Sequence, residues 1–125
     1  MTRNQKMVYW SLTALIGVVF IGSALGKLMP GDGANDMATQ MGITVETIKA
    51  LGVIELISVL LFIFPRTGVV GTLLLTAYMG GAIAVHVTKS LSLPAPLIVL
   101  AVLWLVAIYR FPELKKRFFE GNTSI

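Results

Sequence analysis

A chain of 125 residues that is 56% hydrophobic and only 13% charged, with a mean hydropathy of +0.86, lies outside the composition of a water-soluble domain and suits a single membrane domain over residues 1–125. It has no cysteine and one histidine, His86, which excludes disulfides, thiolate chemistry and a two-histidine haem or zinc site within one chain, so no metal is expected. A net charge of +4 would suit nucleic acid, but the basic residues flank apolar segments, which is the pattern of membrane topology and argues against a nucleic-acid surface.

Residues 7–28 form the first apolar stretch, close to the ~20 residues a helix needs to cross a hydrocarbon core. Arg3 and Lys6 ahead of it and "SALG" near its end also resemble a secretory leader, although the apolar part is long for one. Positions 29–44, "MPGDGANDMATQMGIT", are too polar and glycine-rich to span, and 36–41 is expected to form a short helix at the surface. Thr44 is the expected N-cap of a second span over 45–64, with Glu46 in its first turn, and Pro65 ends it. "PRTG" at 65–68 is so short that a third span, 67–88, must run back beside the second. "KSLSLPAP" turns the chain again, Pro96 suits a first helical position, and the fourth span, 95–109, is short for a crossing at roughly 23 Å.

The expected fold is therefore all-α: an integral membrane four-helix bundle. Arg3, Lys6, Arg66, Arg110, Lys115, Lys116 and Arg117 fall on one side and Lys27, Lys49 and Lys89 on the other, which places both termini in the cytoplasm. Tyr9, Trp10 and Tyr109 then lie at the inner interface, and "FPELKKRFFEGN" becomes an amphipathic tail along it. Helices in lipid gain nothing by hiding from water, so small residues that allow close approach mark the packing faces: Gly22 and Gly26 on the first span, and Thr72, Thr76, Gly80 and Ala84 on the third. The lipid bilayer, and a homo-oligomer or other membrane redox subunits, are the expected partners.

Three ionisable residues interrupt the apolar runs in the outer half. Glu55 is about seven residues inside the second span, Lys27 is near the end of the first, and His86 is about one turn before Lys89. Helical spacing puts Gly52 and Glu55 on one face, Ser23 with Lys27 on another helix, and Met79, Ala82 and His86 on a third. A charge at mid-membrane costs at least about 2.5–3.5 kcal/mol, so Glu55 is expected to face protein, with Lys27 and His86 as the cations available to it. Lys27, Glu55 and His86 are thus the candidates for ligand binding or proton relay, with Ser23, Gly52, Met79 and Ala82 around them; no catalytic residue is assigned. The simpler alternatives are a protonated or hydrogen-bonded Glu55 that only ties helices together, a Lys27 that reaches the headgroups alone, and an interfacial His86.

The stretch "GVIELISVLLFIFPRTGVVGTLLLTAYMGGAIAVH" from Gly52 to His86, with "SALGKL" at 23–28, resembles the DoxX-like family of small bacterial membrane proteins. The resemblance implies a multi-pass protein of the bacterial cytoplasmic (inner) membrane, similar in outline to quinone-linked disulfide enzymes, and some relatives are subunits of a thiosulfate:quinone oxidoreductase. Without cysteine this chain departs from the dithiol chemistry of the disulfide enzymes, so a redox role calls for a non-covalently bound quinone or a partner that carries the electrons. The functions that follow are a quinone- or lipid-binding subunit of a membrane redox system, a non-enzymatic assembly factor acting through helix contacts or, with less to support it, a small-solute transporter.

Overall fold

A computed structural model of the protein describes residues 2–29, 31–91 and 94–120. The described residues are helical nearly throughout, with no strand, in six helices: α1 (Arg3–Leu28), α2 (Asp32–Met41), α3 (Val45–Ile63), α4 (Gly68–Thr88), α5 (Pro94–Arg110) and α6 (Pro112–Lys115). A 3₁₀ turn, Pro65–Thr67, joins α3 to α4, and a π-helical turn, Lys116–Glu120, follows α6.

Local chemistry sets each boundary. Thr2 and Gln5 form a capping box, so α1 starts ahead of its apolar run. α2 begins at Asp32, four residues earlier than the sequence predicts, and stops at Gly42, whose φ of 69° is costly for residues with a Cβ. Thr44 accepts from the Thr47 amide and opens α3. α5 starts at Pro94 and not near Pro96, which still lies in the first turn, where its missing N–H breaks no helical bond; Ser92 and Leu93 of the connection lie outside the described residues.

α1 and α4 are long and apolar enough to cross a membrane, and α5 with the segment to Phe119 makes a third candidate bent by 104°. α3 is comparably long, at 19 residues, but carries Glu46, Lys49 and Glu55. Large apolar side chains point outward along these helices; Val18 is 72% exposed and Leu105 69%, a surface suited to lipid and not to water.

The long helices pack alternately up and down around Ile16, Phe20, Val59, Phe62, Leu75, Met79, Leu103 and Val106. Glycines let the backbones meet, but not the ones that the spacing motifs select. A Cβ on Gly71 would strike the Phe62 backbone, one on Gly68 the Phe111 ring, and one on Gly52 would lie 3.0 Å from the Lys27 side chain. Gly22, Gly26 and Gly80 instead have nothing within 4 Å of such a Cβ, and Ala84 is exposed, so within one chain these are outward positions. Thr76 does pack inward, accepting a 2.9 Å hydrogen bond from Trp104 Nε1.

Arg110 closes one end of the bundle. It is 3% exposed; its Nη1 donates to the Phe62 carbonyl at 2.7 Å and its Nη2 to the Ile63 carbonyl at 3.0 Å and the Tyr9 hydroxyl at 3.3 Å. These carbonyls are orphaned because Pro65 ends α3, and Thr67 Oγ1 donates to the third, Leu61, at 2.8 Å. The guanidinium carbon is also 4.6–4.8 Å from the ring centroids of Tyr9, Phe62 and Phe111. A buried cation is thus held by the negative end of a helix dipole and by ring faces.

Candidate functional site

At the opposite end, the last turn of α1 meets the inward face of α3. Lys27 points inward because the neighbouring Ala24 and Phe20 are buried on the same side, and Gly52 leaves room for the lysine stem to lie against α3. Lys27 Nζ donates to Glu55 Oε1 at 2.9 Å and to Ser23 Oγ at 2.6 Å, while Ser23 Oγ donates to the same Oε1 at 3.2 Å. Both charged residues are buried, at 5% and 1% exposure. Desolvation offsets most of the attraction in such a pair, so its presence is weak evidence of added stability and better evidence of a constraint on register or of a binding task.

The pair forms one wall of a cavity of about 350 Å³, which also takes in Ser23, Tyr78, Met79, Ala82 and His86. The structure thus gathers around one space Lys27, Glu55 and His86, with Ser23, Met79 and Ala82. Gly52 does not line it and acts underneath, as a spacer between α1 and α3.

His86 is placed differently from the other two. Its Nδ1–H donates to the Ala82 carbonyl at 2.6 Å, which leaves Nε2 as the ring atom able to accept. No hydrogen bond joins it to Lys27 or Glu55 among the described residues, so it faces the pair across the cavity without completing it.

Tyr78 contributes more than its sequence position suggests. Its ring stands 5.6 Å from Lys27 Nζ, and it borders both this cavity and a second one of about 420 Å³ between α3 and α4. The second cavity is walled by Leu51, Ile54, Leu74, Ala77 and Val85. A tyrosine between Ala77 and Met79 in an apolar helix reads as packing, and only the i, i+4 spacing to Ala82 and on to His86 could have placed it on the cavity side.

Met37, Gln40 and Met41 of α2 complete the first cavity. Ala34 and Ala38 seat α2 on Ile48, so this helix lies across the end of the bundle as a roof. The chemistry available beneath it is compact: an ammonium and a hydroxyl that donate, a carboxylate and an imidazole nitrogen that accept, and apolar walls.

In comparisons with known proteins, the family model described as the DoxX-like family matches residues 11–108, a stretch that contains every residue of the Lys27–Glu55 site. No curated protein and no solved structure matches the chain.

Proposed function

The chain belongs to the DoxX-like family, a membrane protein of that family by its apolar helices as well, and from that premise we propose that it is a ligand-binding subunit. In this reading α3 and α5 cross the bilayer with α1 and α4, in the bacterial inner membrane and with both termini in the cytoplasm. Charge supports that orientation: Arg3, Lys6, Arg66, Lys115, Lys116 and Arg117 are exposed at the Arg110 end, against Lys49 and Lys89 at the other.

The observation that carries the reading is the buried Lys27–Glu55 pair opening onto a cavity of about 350 Å³. A structural staple needs no space beside it. The cavity suits the polar head of a quinone or other lipid-like molecule, with the tail among apolar helices. Lys27 and Ser23 are the donors to a head oxygen, and Glu55 and His86 are the groups able to exchange protons there. A bound quinone would supply the redox chemistry, consistent with a place beside a membrane redox complex.

Mass spectrometry of small molecules carried through gentle purification tests this. An amphiphile retained by the wild type and lost from Glu55→Gln and His86→Ala is the expected result; identical lipids in all three proteins, equally folded, would reduce the cluster to a helix tie.

A second reading, assembly of another membrane complex, draws on the outward Gly22, Gly26, Gly80 and Ala84, which no part of this chain covers among the described residues. Loss of a co-purifying membrane subunit in Gly80→Leu, with no effect of Glu55→Gln, would favour it.

A further inference from the structure

Resting on the reading of the Lys27–Glu55 cavity as a ligand site, we infer that the site takes a neutral head and that the ligand enters sideways from the bilayer, between α1 and α5.

The first part follows from charge. Lys27 and Glu55 cancel each other at 2.9 Å, and the other polar side chains at the cavity, Ser23, Gln40, Tyr78 and His86, are uncharged in their ordinary neutral forms. An anionic head drawn to Lys27 meets the Glu55 carboxylate beside it, and a cationic head meets the ammonium, so either leaves a net charge in a desolvated space. A neutral oxygen that accepts a hydrogen bond from Lys27 leaves none. Lys27 has capacity for it: its third contact, to the Ser23 carbonyl, is a weak 3.5 Å.

The second part follows from what is open. On α1, Phe20, Ala24 and Lys27 are buried, whereas Val19 and Ser23 border the same cavity and are exposed. Across from them stands α5, whose Ala95 is exposed and whose Val99 is half-buried, both at the cavity. The mouth therefore lies between two membrane-facing helix sides. At the loop end Met37, Gln40 and Met41 of α2 lie over the cavity, the two methionines half-buried and Gln40 exposed. A molecule dissolved in the bilayer reaches Glu55 without crossing a water-filled vestibule.

The test uses the full chain in phosphatidylcholine nanodiscs and three labelled probes: a benzoquinone with a ten-carbon tail, palmitate and dodecyltrimethylammonium. Specific binding is the part lost in the Lys27→Met/Glu55→Leu double variant. The quinone is expected to bind about tenfold or more tightly than either charged probe. Val19→Trp and Ala95→Trp, at exposed positions of the mouth, are each expected to slow its association, while Thr39→Trp, on an exposed side of α2 and outside the cavity, leaves the rate unchanged. Equal binding of a charged probe overturns the neutral head. A rate indifferent to both plugs overturns lateral entry. Failure of all three probes to bind specifically overturns the ligand site itself.

Discussion

Glu55→Leu leaves Lys27 buried with only Ser23 for company. Removing one partner of a buried pair costs about 3–5 kcal/mol, because the remaining charge stays desolvated. Here Ser23 Oγ keeps its 2.6 Å contact and the lysine stem can extend toward the end of α1, so the lower limit, about 3 kcal/mol, is expected. Glu55→Gln retains an oxygen to accept both hydrogen bonds and loses only charge assistance, about 1 kcal/mol. Lys27→Met/Glu55→Leu removes both charges at nearly constant volume and is expected to lie within about 1 kcal/mol of wild type. Unfolding by a denaturing detergent in mixed micelles, followed by helical circular dichroism, measures the cycle. A double variant as unstable as the sum of its singles would refute the pairing. If the double variant folds as calculated, it becomes the protein in which ligand binding can be lost without loss of the bundle.

The same titration checks the other end. Arg110→Met forfeits two charge-assisted hydrogen bonds to carbonyls that have no other donor, and about 3 kcal/mol of stability should go with them; an unchanged midpoint would mean that α3 ends without help. Gly71→Ala forces α4 away from the Phe62 backbone and should cost about 2 kcal/mol, whereas Gly80→Ala meets open space and should be neutral or slightly stabilising. Destabilisation by Gly80→Ala at high protein concentration alone would reveal a second chain on that face. Thr67→Val strips the Leu61 carbonyl of its donor and should cost about 1 kcal/mol, less if a lipid or water hydroxyl replaces it.

Helices were legible in this sequence where hydrophobicity and punctuation agree. Thr44 and Pro65 bracket α3 closely, and the fourth residue of "PRTG" begins α4. α2 was the poorest, since "GDGAND" reads as loop, and its first turn is helical because Ala34 finds Ile48, a contact that no local pattern contains. Helical phase brought Ser23, Lys27, Glu55, Met79, Ala82 and His86 toward one region, because period and depth are both readable along an apolar run. It could not say that Gly52 is a spacer, that Tyr78 stands under the ammonium, or that His86 bonds to its own helix. GxxxG spacing records which faces are smooth, not which faces meet within one chain, and the faces that meet here use Gly52, Gly68 and Gly71.

Two buried cations give the bundle two unlike ends. Arg110 at 2.7–3.3 Å from two carbonyls and a hydroxyl, ringed by three aromatics, is fixed by groups that belong to the backbone or to the core. Displacing either carbonyl would reopen the end of α3, and the one donor atom unpartnered among the described residues, Nε–H, is sealed from the surface, so this cation has no free donor within reach of a ligand. Lys27 is held by side chains alone apart from its 3.5 Å contact, it keeps one weakly used donor, and its carboxylate partner borders open volume. Exchange of partners there costs no helix its hydrogen bonds. The chain is thus tied at the end where α1 begins and α3 and α5 finish, and left adaptable at the end beneath α2, which is the division expected of a small bundle that must hold its own shape while admitting a guest.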